Sequence, residues 1–309
     1  MVQENSIKKP KVIIVVGPTA SGKTAVGVKL AKSLNGEIIS ADSMQIYKKM
    51  DIGTAKVTSE EMGGIVHHLI DIVNPTESYS VAEWVKDASA KIDEIIARGK
   101  TPIIVGGTGL YVTSLIKGYT FYDVPENIEL RETYRKILED QGIDALYQIL
   151  IDKNPDKASM IDKNKTKAVI RALELIDGGA DLSNDENAEP YDYVLFGLDH
   201  AREILYDRIN KRVDIMFDQG LEQEFNMLTA EYGLKPIHQS AGAIGYKEMF
   251  AYQSGECGLE ETKDLIKQHS RNYAKRQLTW FRRMDNILWL SPVKEYDKIE
   301  QLSKKFMGE

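Results

Sequence analysis

The sequence predicts an α/β fold: a parallel sheet with helices on both faces, interrupted by a helical insertion. Three observations carry that expectation. Short, largely apolar runs alternate with helical patterns through the first 118 residues. A glycine-rich phosphate loop lies between the first run and the first helix. The apolar runs then vanish between about Tyr119 and Asp192, and return at Tyr193–Asp199 and Ile287–Leu290.

In order along the chain, Val12-Ile13-Ile14-Val15-Val16 is continuously apolar, as a strand covered on both faces must be. It runs into Gly17, and a helix is expected from about Lys23 to Leu34, closed by Asn35-Gly36. Glu37–Ala41 reads as a second strand ending at Asp42-Ser43. Ser80 and Glu83 have capping-box spacing, so a long helix should follow Ser80 and stop at Arg98-Gly99. Pro102-Ile103-Ile104-Val105 is the next buried strand, ending in Gly106-Gly107-Thr108-Gly109. This order implies parallel strands joined by helical crossovers. The stretch 119–192 holds short charged helical segments, with nine basic and seventeen acidic residues and a net charge of −8. The simplest division assigns 1–118 and 193–309 to the sheet core and 119–192 to the insertion. Two consecutive domains are the alternative, which the late return of strand signals disfavours.

Composition bounds the function. The chain has 309 residues, 42% apolar and 28% charged, with mean hydropathy −0.33, as a soluble globular protein should. Forty Lys and Arg against forty-seven Asp and Glu give −7, which argues against coating a nucleic acid through bulk charge but leaves local contacts open. The single cysteine, Cys257, excludes a disulfide framework and fits a reducing compartment. The longest apolar runs fall far short of the ~20 residues a spanning helix needs, and the polar start shows no secretory signal. A cytoplasmic protein without membrane association is expected.

Gly17-Pro18-Thr19-Ala20-Ser21-Gly22-Lys23-Thr24 matches G-x-x-x-x-G-K-[ST] in full, after a buried strand and opening a helix. Backbone amides and the helix N-terminus would cradle a phosphate, Lys23 supplies a point charge, and the Thr24 hydroxyl suits Mg2+. The motif alone does not distinguish a nucleotide such as ATP from a simpler diphosphate. Asp42, at the C-terminal end of the second strand, lies where ligands bind in a parallel sheet. It reads as a general base, a magnesium ligand acting through an intervening water, or merely the cap of the next turn. Gln45 has the groups to bond a base edge. Among Arg202, Arg208 and Arg212, spacing favours surface ion pairs for the first and third and leaves Arg208 open. His67-His68 lack a partner at ligand spacing and read as structural. The segment 263–283 carries seven Lys or Arg and one Asp, net +6, with Tyr273, Trp280 and Phe281 interleaved. Such segregation of sign in an acidic chain favours a nucleic-acid contact over a solvated face.

Together these residues resemble the bacterial tRNA dimethylallyltransferases, or isopentenyltransferases. The resemblance spans almost the whole chain and rests on GPTASGKT at 17–24, DSMQIY at 42–47, DIGTAK at 51–56 and HHLID at 67–71. It continues through GGTGLY at 106–111, RALE at 171–174, AIGYKE at 243–248 and YAKRQLTWFR at 273–282. It implies a P-loop NTPase-like sheet domain with a tRNA-binding helical insertion. The implied reaction moves a dimethylallyl group from its diphosphate to the N6 amine of the adenosine 3′ to the anticodon. Asp42 would be the general base. Lys23, Thr24, Mg2+ and Arg208 would stabilise the leaving diphosphate, with Asp42 also near the metal. Thr108 would be a further catalytic residue, beside the prenyl channel and in contact with the target nucleotide of the tRNA. Contacts to the tRNA anticodon stem-loop would fall on Asp42, Ser43, Met44, Gln45, Arg131, Lys167, Arg171, Gly245, Tyr246, Lys247, Lys275, Arg276 and Gln277. The chain departs from the family at Ala168, where arginine is usual, and at Val66, where proline is. The wet, basic faces favour a monomer. A small-molecule or nucleoside kinase would share the phosphate loop but leave the basic segment without a task. A nucleotide-driven RNA-binding switch is a third reading, against which no usual Walker B strand is visible.

Overall fold

In the computed structural model, which describes residues 9–122, 124–180, 182 and 188–308, the first apolar run becomes strand β1 (Lys11–Val16). The polar start of the chain, residues 1–8, and parts of the expected insertion (123, 181 and 183–187) lie outside the described residues. After β1 come helix α1 (Lys23–Ser33), β2 (Gly36–Ala41), the short α2 (Ser59–Met62), β3 (His67–His68), α3 (Val81–Ala97), β4 (Thr101–Gly106) and α4 (Gly109–Lys117). Helices α5 (Ile128–Lys153), α6 (Pro155–Met160) and α7 (Thr166–Asp177) follow. The chain then forms β5 (Asp192–Leu198), α8 (Arg202–Asp218), α9 (Leu221–Glu231), α10 (Tyr246–Gln253), α11 (Leu259–Phe281), β6 (Ile287–Leu290) and α12 (Tyr296–Met307).

All six strands are parallel, in the order β3-β2-β4-β1-β5-β6. Ile14 of β1 stands between Ile104 of β4 and Leu195 of β5, so the most apolar strand occupies the middle. Because side chains alternate across a strand, one sheet face is built from Ile14, Ile39, Ile104 and Leu195, packed against α3 through Trp84, Ala88 and Ile92. The other face, Ile13, Val15, Ile38, Ile103 and Phe196, packs against α1 through Val26 and Leu30 and against α12 through Ile299. Burial on both faces explains why these strands read as unbroken apolar runs rather than alternating ones.

Helix α3 begins as its spacing predicts. Ser80 Oγ accepts from Glu83 N at 3.2 Å and the Glu83 carboxylate accepts from Ser80 N at 2.7 Å. Strand β3 is not predicted by the sequence. With only two residues it has no periodicity to detect, and it exists because β2 offers it a parallel edge.

The chain divides into two compact units: Met1–Lys117 with Glu189–Glu309, and Gly118–Ala188. The first contains the sheet. In the second, α5 bends at Gly142 and packs with α6 and α7 around Tyr134, Leu146, Leu150, Val169 and Leu173. No helix among the described residues is long and apolar enough to cross a membrane.

Candidate active site

In the sheet unit the loops after β1, β2 and β4 meet at the carboxyl ends of adjacent strands, the crevice expected to hold ligands. A cavity of about 420 Å³ opens there. Thr19 to Thr24 line it, as do Asp42, Ser43, Met44 and Gln45. Its apolar wall comes from Val57, Val105, Ile209, Val213 and Met216.

The phosphate loop turns into α1 at Gly22, whose φ of 86° lies in the left-handed region that glycine tolerates. Gly17 and Pro18 begin the loop but are not on the cavity wall. Lys23 Nζ donates to Pro18 O at 2.7 Å. Burial pushes the Lys23 amine down to about 8; Asp42 opposes that shift and Arg212 reinforces it.

Asp42 caps the next turn, as one reading of the sequence had it, and it also lines the cavity. Its Oδ1 accepts from Met44 N at 2.9 Å and Gln45 N at 3.3 Å. Its Oδ2 has no hydrogen-bond partner among the described residues. One oxygen is thus anchored and the other is left for chemistry. Gln45 Nε2 donates to Thr54 O at 3.4 Å and Ala55 O at 3.2 Å, which ties the DSMQ turn to the DIGTAK loop.

Several expected site residues stand elsewhere. Arg208 is not on the cavity wall. Its Nη1 lies 3.3 Å from His200 Nε2, and that ring nitrogen lies 2.8 Å from Ser21 O. Arg212, which spacing assigned to a surface ion pair, lines the cavity instead, and burial pushes its guanidinium down from its ordinary value against the pull of Glu61. The two arginines are one helical turn apart on the same face of α8, so spacing alone could not choose between them. The missed signal was that Arg212 lies within the stripe of Ile209, Val213 and Met216. Thr108 stands behind Ser43 rather than on the wall, because its Oγ1 accepts from Ser43 N at 3.0 Å and donates to Ser43 Oγ at 3.3 Å.

Tyr246 is fully buried and its hydroxyl donates to Glu224, so its side chain cannot touch an RNA in this structure. Gly245 is buried as well, whereas Lys247 is exposed. Gln277 is 6% exposed and spans two loops: Oε1 accepts from Thr19 N at 2.8 Å, and Nε2 donates to Gly107 O at 2.9 Å. Its amide holds the phosphate loop to the glycine turn after β4, and is not free for a nucleic acid. Tyr273, which sequence reasoning noticed only as an aromatic, lines the cavity. Burial, then the charge of Asp42, pushes its hydroxyl up to about 12.

Helix α11 is less free than its charge suggested. Lys263 pairs with Glu260, Lys267 with Asp214 at 2.6 Å, and Arg271 with Asn210 at 2.6 Å. Lys275 and Arg276 are exposed, and the Arg276 guanidinium lies 5.5 Å from the Tyr273 ring centre.

In the helical unit, Arg131 and Arg171 converge on the buried Glu174, at 2.9 and 2.6 Å. Burial would raise that carboxyl, but bonds from Arg131, Arg171 and Asn127 N hold it below its ordinary value. The RALE motif is therefore an internal ion cluster here, and Lys167 is the exposed cation beside it.

Thr24 and Asp42 line the same cavity, and one hydroxyl with one carboxylate suits a hard divalent cation that takes its other ligands from phosphate and water. Among the described residues no three His, Cys, Asp or Glu form a cage able to hold a metal alone.

A family model described as IPP transferase matches residues 45–284. The chain belongs to the IPP transferase family. A relative from Exiguobacterium, named tRNA dimethylallyltransferase, is 47% identical over 97% of this chain and 99% of its own. The crystal structure of a tRNA isopentenylpyrophosphate transferase from Bacillus halodurans matches with TM-score 0.74 and 44% identity over 97% of both chains. That of a eukaryotic dimethylallyltransferase acting on tRNA matches with TM-score 0.81 and 29% identity, over 96% of this chain and 79% of the other. The family match begins at Gln45, so the phosphate loop at 17–24 is an observation independent of it.

Proposed function

We propose that this protein transfers a dimethylallyl group from dimethylallyl diphosphate to the N6 amine of the adenosine 3′ to the anticodon in tRNA. The observation that carries the reading is a single cavity with a phosphate loop, an anchored carboxylate with one open oxygen, and an apolar wall. A small-molecule or nucleoside kinase would share the first two, but the exposed basic residues Lys275 and Arg276 of α11 would have no task in it. The apolar wall of Val57, Ile209, Val213 and Met216 suits a five-carbon chain.

The phosphate-loop amides, Lys23 and Arg212 bind the diphosphate and stabilise the charge it gains as its bond to the allylic carbon breaks. His200 Nε2 donates to Ser21 O and steadies the loop from behind, and the Arg208 guanidinium lies beside that ring. The apolar wall holds the five-carbon chain and keeps water from its allylic carbon. The adenosine leaves its stack to enter the cavity, where Ser43 and Gln45 meet its edge. The N6 lone pair forms the new bond to carbon, the C–O bond passes its electrons to diphosphate, and Asp42 Oδ2 takes the N6 proton. Thr24 would hold Mg2+, with Asp42 near it through an intervening water, and the ion would neutralise diphosphate charge when bound. Lys275, Arg276, Lys247 and Lys167 are the exposed cations for the tRNA backbone. The helical unit is the proposed tRNA-binding insertion, and the protein acts as a cytoplasmic monomer.

Incubation with Mg2+, dimethylallyl diphosphate and unmodified tRNA, then nucleoside mass analysis, is expected to show dimethylallyl added to adenosine. Asp42→Ala is expected to lower kcat by roughly 10²–10⁴-fold while tRNA binding persists. No mass increase, with ATP instead consumed in the presence of small acceptors, would point to a kinase.

A further inference from the structure

Glu224 lies outside the cavity, on α9, and is 8% exposed. A carboxylate is costly to bury unless charge-assisted hydrogen bonds replace its water. Four do so. Oε2 accepts from Asp51 N at 2.8 Å and Ile52 N at 2.7 Å; Oε1 accepts from Gly53 N at 3.0 Å and from the Tyr246 hydroxyl at 2.6 Å. Three successive amides turned onto one anion form a nest, here filled by the protein's own side chain.

The clamped loop is rigid on its other sides too. A Cβ on Gly53 would lie 2.5 Å from the Tyr246 ring, so only glycine lets the ring close over the loop. Lys56, itself buried, donates to Tyr47 O at 2.7 Å and pairs with Asp51 at 2.7 Å and Asp71 at 2.5 Å. What the loop presents to the cavity is Gly53, Thr54 and Ala55.

The carbonyls of Thr54 and Ala55 both accept from Gln45 Nε2. Two acceptors on one side of a primary amide fix which way it faces, since its oxygen there would meet two carbonyl oxygens. Oε1, which has no protein partner among the described residues, is then the free acceptor. A free acceptor suits the exocyclic amine of adenine, which donates, and opposes the O6 of guanine, which accepts.

We propose that Glu224 is a positioning residue for adenine selection: from outside the cavity it fixes the 51–56 loop, and through that loop the facing of the Gln45 amide. The proposal rests on the reading that Gln45 meets the target adenosine.

The test is steady-state kinetics of Glu224→Gln, Gln45→Ala and the double variant, varying tRNA and dimethylallyl diphosphate in turn. Glu224→Gln keeps the shape but sets an NH2 group against backbone donors. It is expected to lower kcat/KM for tRNA at least tenfold and to leave KM for the diphosphate within twofold. In the Gln45→Ala background the same change should cost less than threefold, because its effect passes through Gln45. Equal damage to both substrates, an undiminished cost in that background, or no loss at all would each overturn the proposal. If Gln45→Ala alone left tRNA kinetics unchanged, the reading of Gln45 would fall and this inference with it. If Gln45→Ala mattered and Glu224→Gln did not, only the inference would fall. Should Glu224→Gln not fold, Tyr246→Phe removes one of the four donors without altering charge. A two- to fivefold loss confined to tRNA is then expected, and none would overturn the proposal.

Discussion

Lys23 shows how far a single side chain can depart from its solution chemistry. Burial brings its amine down to about 8, Arg212 adds to that, and Asp42 resists it. A bound diphosphate favours the charged lysine and so raises its value above that of the free protein. Between the two values binding must take up a proton, and above about pH 8 affinity for the diphosphate should fall as the free lysine loses its charge. Calorimetry near pH 9, in buffers of different ionisation enthalpy, is expected to read an uptake approaching one proton, absent in Lys23→Met. No uptake in the unaltered protein would mean that Lys23 is already charged. The same logic of local context separates Arg208 from Arg212. Both are cations on one face of one helix, yet only Arg212 reaches the cavity.

At the scale of elements, α11 combines two roles. Its first half is joined to α8 through Lys267–Asp214 and Arg271–Asn210, and its later part offers Lys275 and Arg276 to solvent. Gln277, on the opposite side of the helix from Lys275, ties the phosphate loop to the turn after β4. Charge reversal at Lys275 and Arg276 is therefore expected to weaken tRNA binding and reduce the slope of log K against log salt by roughly one for each phosphate no longer neutralised. Lys267→Glu should leave that slope unchanged and lower the melting temperature, because its partner is Asp214. An equal change in slope for all three would count against this division of the helix. The elements legible in the sequence were those specified locally. The capping box of α3 and the apolar runs of β1, β2, β4 and β5 need no distant partner to be recognised. Strand β3 escaped because two residues carry no period, and its pairing to β2 is a tertiary fact.

For the whole molecule, the sheet unit and the helical unit have separate cores. Leu173, fully buried in the helical unit, is far in sequence from every residue that lines the cavity. Leu173→Ala is expected to cost about 2–5 kcal/mol of that unit's stability. Urea unfolding followed by circular dichroism would read the loss, and dimethylallyl diphosphate binding at low urea should be unchanged. Loss of diphosphate binding in the absence of urea would mean that the two cores fold as one.

By itself the sequence determined the alternation of strands and helices, the phosphate loop, and the placing of Asp42 at a strand end. Each is written in consecutive residues, because a turn and its backbone amides belong to one short stretch of chain. Only the tertiary structure decided which arginine enters the cavity, that Tyr246 and Gln277 face inward, and that Glu224 holds a loop 173 residues away from it. Those outcomes depend on which helix turn a folded sheet brings opposite a loop, and spacing along the chain does not encode that distance.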